Sequence, residues 1–271
     1  MINNLAAIDL HISIASETLF TISGVNISNS TLTGIFGSII TVVILWYVAG
    51  KVHRGKYNRF VGLVQWVFEG LLKSVDDIVP DHKLARKVTP LAMTIFFVVL
   101  VNYWLSVIPG LDSIKLGGVP LIRSLTADLN FTLGIAIITV VTVQIYAIKH
   151  LTFLGNAKRY FRNPIKDPIG SFEGILELVG EVSRGTALAL RLFGNAFAGE
   201  VLLMVIAVLT NYFSSVVLPF FMAFELFIGL IQAYVFFSLA LIFTSLAVSS
   251  HGDSPDDHSP VSSTQVLKQH K

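Results

Sequence analysis

Residues 184–200, RGTALALRLFGNAFAGE, place two arginines and one glutamate within an otherwise apolar stretch of the chain. The surrounding apolar segment, residues 169–210, would be about 63 Å long as one helix, about twice the thickness of the bilayer core. Arginine stays charged at every ordinary pH, and a charged side chain inside a bilayer costs at least about 2.5 kcal/mol. The stretch therefore predicts a long membrane-embedded helix whose charged side chains serve a function.

The composition of the chain also indicates a membrane protein. Of its 271 residues, 54% are hydrophobic and only 13% are charged, which lies outside the range of soluble domains. The net charge of +2, with no basic run interleaved with aromatic residues, argues against nucleic-acid binding. The lack of cysteine excludes disulfides and cysteine-bound metals. We therefore expect an all-α polytopic membrane protein embedded in a lipid bilayer.

Five segments are long and apolar enough to cross the bilayer as helices. They cover residues 32–50, 88–108, 128–148, 169–210 and 214–248. The last two exceed the length that the bilayer core requires, so they must tilt steeply, break or protrude. Tilt is favoured because the first of these two has no clear hydrophilic extension. The sequence thus predicts that the last two helices form a long, steeply tilted hairpin.

A sixth segment, residues 60–79, has the pattern of an amphipathic helix. Its apolar residues fall on one helical face, and its polar residues fall on the other. This pattern favours a helix lying in the membrane interface, and a helix that binds a soluble partner is the alternative.

The positions of lysine and arginine predict the orientation of the chain. Residues 51–87 hold eight of them and residues 149–168 hold five, whereas residues 1–30 hold none. Basic loops remain in the cytoplasm, so we expect the N-terminal segment to lie outside. A single membrane domain, residues 31–249, follows that segment. Residues 250–271 are then a polar cytoplasmic tail.

Six polar side chains of the first long segment form a stripe on one helical face. At 100° per residue they fall within an arc of about 80°. Ion pairs within the stripe are one explanation, but Arg191 has no acid within one turn, so a carboxylate on another subunit is its natural partner. The stripe consists of Glu173, Glu177, Glu181, Arg184, Arg191 and Asn195.

A row of small residues runs beside this stripe, at Gly180, Ala187, Gly194 and Ala198. Small residues let another helix approach closely. The row is therefore explained either by helix packing within the chain or by a surface offered to a partner helix.

Folding the last segment back through a turn near Tyr212 brings polar residues of the two long segments together. Antiparallel registry places Arg191 opposite Gln232 and Glu200 opposite Glu225. Two facing carboxylates in a low dielectric should not both ionise, so we expect at least one to hold a proton or share a cation. The chain then has acidic groups on both sides of a fixed positive charge.

The eleven residues 190–200, LRLFGNAFAGE, resemble the signature of subunit a of the F-type rotary ATP synthase. The resemblance extends over nearly the whole chain. It includes PLAMTIFFVVLVNYW, TADLNFTLG, ILELVGEVSR and ELFIGLIQAYVF. The family is the membrane stator beside the ring of c subunits, and its fold has two long tilted helices against that ring and an interfacial second helix.

The resemblance implies a role for each matching residue. Arg191 matches the family's essential arginine, which interacts with the c-ring carboxylate and prevents a leak between two offset half-channels. Asn195 and Gln232 match the polar residues that support it. Glu200 and Glu225 match the pair that lines the outer half-channel. Glu177 matches the acid on the cytoplasmic path. The further supporting residues are Glu173, Glu181, Arg184, Asn102, Asp128 and Asn130.

One departure from the family concerns the outer pair. Some bacterial members have a histidine at one of these two positions, whereas this chain has glutamate at both. The chemistry of proton transfer in the outer half-channel therefore stays open. The choice between proton and sodium also stays open, because in this family it resides largely in the c subunit.

The resemblance also implies the setting in which the chain works. The partners are the c-ring, the peripheral-stalk b subunits and the lipid bilayer, in an energy-coupling membrane such as the bacterial plasma or inner membrane. By itself the chain is expected to be no enzyme, to hold no cofactor and to bind no nucleotide, since it has no phosphate-binding loop. A secondary transporter is the alternative function, but it predicts an inverted repeat that is not visible in the sequence.

Overall fold

The computed structural model describes most of the chain. The described residues are 16–22, 25–108, 115–116, 119–120, 123–151, 160 and 168–249. The expected polar tail at residues 250–271 and the first fifteen residues lie outside the described part.

Six α-helices make up the described membrane domain. They are α1 Asn29–His53, α2 Arg59–Ile78, α3 His82–Val107, α4 Leu129–Leu151, α5 Pro168–Thr210 and α6 Ser214–Ser249. All except α2 are long and apolar enough to span a membrane. The fold class predicted from sequence, with five spanning helices and one amphipathic helix, is confirmed.

Two short antiparallel hairpins were not expected from the sequence. Strands β1 (Thr18–Ile22) and β2 (Val25–Ser28) form the first hairpin, and β3 (Lys115–Leu116) and β4 (Val119–Pro120) form the second. The first leads directly into α1, where the backbone N–H of Asn29 donates to the carbonyl of Glu17 at 3.0 Å. Such short strands pair their backbone N–H and C=O groups with each other. They are too short to show the alternation of apolar and polar residues from which a strand is predicted.

Helices α5 and α6 form the predicted hairpin. A single 3₁₀ turn, Asn211–Phe213, joins them, which confirms the turn expected near Tyr212. Helix α5 is continuous over 43 residues, so the excess length is not relieved by a break in the helix. The steep tilt of the hairpin stays a prediction.

The core of the domain is centred on α3, which packs most extensively against α6 and also contacts α1 and α2. The Phe96 ring meets Phe97 and Phe237 edge-on, at centroid distances of 5.2 and 6.3 Å. Many apolar side chains point outward instead, such as Trp46 at 79% exposure and Leu209 at 81%. Outward apolar surface on this scale suits a molecule whose solvent is lipid.

Helix α1 approaches α3 closely through a glycine. Asn102 of α3 is fully buried, and its side-chain N–H donates to the carbonyl of Val98 at 2.8 Å. Its amide oxygen lies against Gly37 of α1, where an added β-carbon would collide with that oxygen. Asn102, predicted as a supporting site residue, therefore lies in the contact between these helices.

Replacing Gly37 by alanine should weaken the contact between α1 and α3. Overpacking of this kind lowers the free energy of unfolding by about 1–3 kcal/mol. We expect Gly37→Ala to lower the melting temperature of the detergent-solubilised protein. The matched control is Gly50→Ala in the same helix, where an added methyl group meets open space. Equal melting temperatures for the two variants would contradict the close approach seen at Gly37.

Candidate functional site

The deepest acid of the site is Glu225, on α6. Its side chain is only 3% exposed. The hydroxyl of Tyr103 on α3 donates to Oε1 of Glu225 at 2.6 Å. On its other side, the carboxyl lies against the backbone of Gly199 on α5, with no room for a β-carbon there. Three helices therefore enclose one carboxyl group at this point.

The second acid, Glu200, lies next to this enclosure. Its Oε1 accepts a hydrogen bond from the backbone N–H of Ser124 at 3.2 Å. The hydroxyls of Ser124 and Thr126 are 2.7 Å apart, and both residues are buried. A short polar segment before α4 therefore adjoins the Glu200 carboxylate.

The side chain of Gln232 contacts α5 at Asn195. Its Oε1 accepts a hydrogen bond from Asn195 at 3.0 Å, one turn along α5 from Arg191, which the expected register placed opposite Gln232. The side chain of Arg191 is exposed on the surface of α5. The side-chain N–H₂ of Gln232 is buried and has no hydrogen-bond partner in the described part of the chain. Gln232 thus links Asn195 to the interior of the domain.

Arg191 itself lies on the exposed face of α5. Among the described residues it has no hydrogen bond, ion pair or ring contact. The small residues beside it are also not used for packing inside the domain, since Ala187 and Ala198 are exposed and Gly194 has open space around its Cα. Of the two explanations for the row of small residues, the geometry favours a surface offered to a partner.

At the other end of α5, an acid is bound into a different polar cluster. The hydroxyl of Tyr160 donates to Oε2 of Glu181 at 2.7 Å and accepts from Gln144 of α4 at 2.9 Å. Nearer the start of the helix, Glu177 is partly buried and Glu173 is exposed. The acids on this side therefore do not form one uniform stripe, because Glu181 is engaged by α4 and by the segment before α5.

The second arginine of the stripe has a different environment from Arg191. The guanidinium of Arg184 lies 5.4 Å from the ring centroid of Phe243 on α6, a cation–π distance. It also lines a small cavity between α4, α5 and α6 that Glu181 borders. Arg184 is thus held by the domain itself, whereas Arg191 faces away from it.

Asp128 and Asn130 act at the start of α4. The N–H of Asn130 donates to Oδ1 of Asp128 at 2.9 Å, and the hydroxyl of Ser30 on α1 donates to Oδ2 at 2.5 Å. Burial acts to raise the pKa of Asp128, but the hydrogen bonds from Ser30, Asn130 and Ser16 lower it below its ordinary value. Asp128 thus ties the beginning of α4 to the beginning of α1.

Comparison with known proteins identifies the family. The sequence profile of the family described as ATP synthase A chain matches residues 31–245, which is most of the chain. The chain belongs to the ATP synthase A chain family. The resemblance seen in the sequence is therefore confirmed, and the protein is a multi-pass membrane component of the F-type ATP synthase.

Several curated relatives share this family. ATP synthase subunit a 2 of Vibrio campbellii is 30% identical over 237 residues, covering 84% of this chain and 90% of the relative. ATP synthase subunit a of Haemophilus influenzae is 30% identical, with 81% and 88% covered. The Mycobacterium bovis subunit a is 29% identical, with 82% and 87% covered. Each alignment spans nearly the whole of both chains.

Sequence reasoning missed the neutral residues that hold the acids of this family member. Tyr103 and Ser124 contact the outer acids, and Tyr160 and Gln144 form the cluster with Glu181. Tyr103 lies next to Asn102 within an apolar span. Because a buried phenol usually finds a hydrogen-bond partner, its position could have predicted a polar contact there. No local pattern pointed to Ser124, because it contributes a backbone N–H.

The ionised form of Asp128 should stabilise the protein at neutral pH. Because its folded pKa is lowered, its contribution is present above the unfolded pKa of about 3.9 and is lost as the pH falls through the folded pKa. Replacing Asp128 by asparagine should reduce the free energy of unfolding at pH 7 by about 1 kcal/mol, since hydrogen bonds to charged groups are stronger. Melting temperatures measured from pH 7 to pH 3 check this prediction. A constant difference between the two proteins across that range would contradict it.

Proposed function

We propose that this chain is the stator subunit that forms two ion half-channels against the ring of c subunits and couples proton flow to rotation and ATP synthesis. The chain itself catalyses no bond-breaking step. The observation that carries the proposal is the outward-facing charge of Arg191, which has no partner among the described residues. A charge on a helix surface in lipid needs a counter-ion, and a carboxylate on the c-ring provides one.

The acids lie on both sides of that charge along α5. By helix geometry, Glu200 is about 14 Å from Arg191 in one direction along the axis, and Glu181 is about 15 Å away in the other. The outer half-channel is assigned to Glu200 and Glu225. The cytoplasmic half-channel is assigned to the acids near the start of α5, Glu177 and Glu181. The basic loops of the sequence support this orientation, with the N-terminus outside and the C-terminus in the cytoplasm.

Arg191 separates the two half-channels in this proposal. A guanidinium has donors only and stays protonated, so it cannot pass a proton from one side to the other. Its field also repels a proton that approaches from either side. A c-ring carboxylate releases its proton beside Arg191 into one half-channel and takes up another from the opposite half-channel. It then turns through the lipid in its neutral form.

The membrane potential supplies the driving force for this cycle. One charge moved across 100 mV releases about 2.3 kcal/mol, so several charges are needed for each ATP made elsewhere in the complex. The exposed small residues near Arg191 suit close approach of a c-ring helix. Asn195 is exposed on α5 one turn beyond Arg191, and its hydrogen bond to Gln232 orients it at that surface. The peripheral-stalk b subunits are the partners that hold the stator in place.

Loss of the Arg191 charge should abolish coupled transport. We expect Arg191→Ala to stop ATP-driven proton pumping in vesicles that contain the assembled complex, because the c-ring carboxylate loses its counter-ion. Arg184→Ala should be milder, since Arg184 contacts Phe243 inside the domain. Repeating the assay with and without sodium identifies the coupling ion. Full coupling in both variants, with normal assembly, would overturn the proposed function.

Replacing the deepest acid should block the outer half-channel. An amide at position 225 cannot take up and release a proton at neutral pH, so Glu225→Gln should lower both ATP synthesis and ATP-driven pumping by at least about tenfold. The matched control is Glu69→Gln on the exposed face of α2, where the side chain accepts a hydrogen bond from Gln65 of the same helix. If the two variants had the same activity, Glu225 would not lie on the ion path.

A further inference from the structure

The Tyr103 ring of α3 occupies a space on α6 that is left open by a glycine. The side chain is only 1% exposed, and the ring lies against the backbone of Gly229 on α6, where a β-carbon would collide with it. One turn earlier in α6, the Glu225 carboxyl lies in a matching space at Gly199 of α5. Two glycines on different helices thus make room for the two halves of a single hydrogen-bonded pair.

The hydroxyl of Tyr103 has an unusual partner for a phenol in a membrane span. Tyr146, on α4, shows the simpler solution, because its hydroxyl donates to the backbone carbonyl of Lys87 at 2.8 Å. A phenol that needs only to be satisfied can use such a carbonyl. Tyr103 instead donates to a buried carboxyl group at 2.6 Å, a length typical of a strong O–H···O⁻ bond.

This bond restricts the carboxyl group of Glu225 in a defined way. A glutamate side chain has several rotatable bonds, and fixing them requires contacts from more than one side. Here the phenol holds Oε1, and the Gly199 backbone limits the other side of the group. The neighbouring acid, Glu200, is fixed separately by the N–H of Ser124. The two acids are thus held by two independent neutral donors.

We propose that Tyr103 is a positioning residue for proton transfer at Glu225, with Gly199 and Gly229 providing the space that this role requires. The hydroxyl stays on Oε1, which leaves Oε2 to take up and release the transported proton. Tyr103 neither gains nor loses a proton in this step. The inference rests on the proposed function of Glu225 in the outer half-channel and adds the residue that orients it.

The test is Tyr103→Phe in membrane vesicles that contain the assembled complex, because this change removes the hydroxyl and keeps the ring. We expect normal assembly and a fall of about tenfold in ATP synthesis, which corresponds to about 1.4 kcal/mol, near the lower limit for a hydrogen bond to a charged group. The control is Tyr146→Phe, which removes a hydroxyl bonded to a backbone carbonyl. The control should synthesise ATP at the wild-type rate.

A spectroscopic measurement separates positioning from a general structural effect. Infrared difference spectra, recorded as the outer medium is acidified, contain the C=O band of protonated Glu225, identified by its loss in Glu225→Gln. A donated hydrogen bond lowers this stretching frequency, so Tyr103→Phe should move the band to higher wavenumber and Tyr146→Phe should leave it unchanged. Gly229→Ala, which keeps the hydroxyl but displaces the ring, should move the band in the same direction.

Each outcome bears on one proposal only. An unmoved band in both Tyr103→Phe and Gly229→Ala would overturn the positioning role, whatever the rate of synthesis. A wild-type rate in Tyr103→Phe would overturn it as well. If Arg191→Ala and Glu225→Gln still abolish transport in that case, the proposed function stands and only the role of Tyr103 fails. Full transport in those two variants would instead overturn the proposed function.

Discussion

The single positive charge of Arg191, placed on an outward face of α5, sets the requirements for the rest of the site. A guanidinium cannot shed its charge, and lipid cannot solvate it. Arg184, two turns away, is also exposed, but its guanidinium lies over the Phe243 ring of α6. Arg191 has no such contact within the described residues. A surface of this kind is complete only when a partner brings a negative charge to it.

Several carboxylates of the domain, in contrast to Arg191, have hydrogen-bond partners within the chain, and these partners are neutral donors. Glu225 receives the Tyr103 hydroxyl, Glu200 receives the Ser124 N–H, and Glu181 receives the Tyr160 hydroxyl. A neutral donor fixes the geometry of a carboxylate without the strong attraction of a nearby cation, so the group remains able to exchange a proton. Internal ion pairs with Arg191 would instead hold these acids permanently ionised. In the proposed function, carboxylates that neutral donors hold can take up and release protons.

The sequence predicted the helices well because their signals are local. The apolar length of each span, the amphipathic pattern of α2 and the turn near Tyr212 can each be read within one segment. The hydrogen bond between Asn195 and Gln232 was not predicted, since equal spacing along two helices ignores their crossing and rotation. The donors to the acids were missed for a different reason. They come from α3, from the segment before α4 and from the segment before α5, far from the acids in sequence.

Two glycines show why the geometry of the site depends on contacts between segments that are distant in sequence. Gly199 and Gly229 have no side chain, and a group from another helix occupies the space that a side chain would fill. Helical periodicity identifies such positions only as small residues. It does not show whether lipid, a partner helix or a carboxyl group fills the space. In α5 the same residue type serves both purposes, since Gly194 borders open space beside Arg191 while Gly199 borders the Glu225 carboxyl. One long helix therefore leaves open space beside Arg191 and, little more than one turn away, encloses the carboxyl group of Glu225.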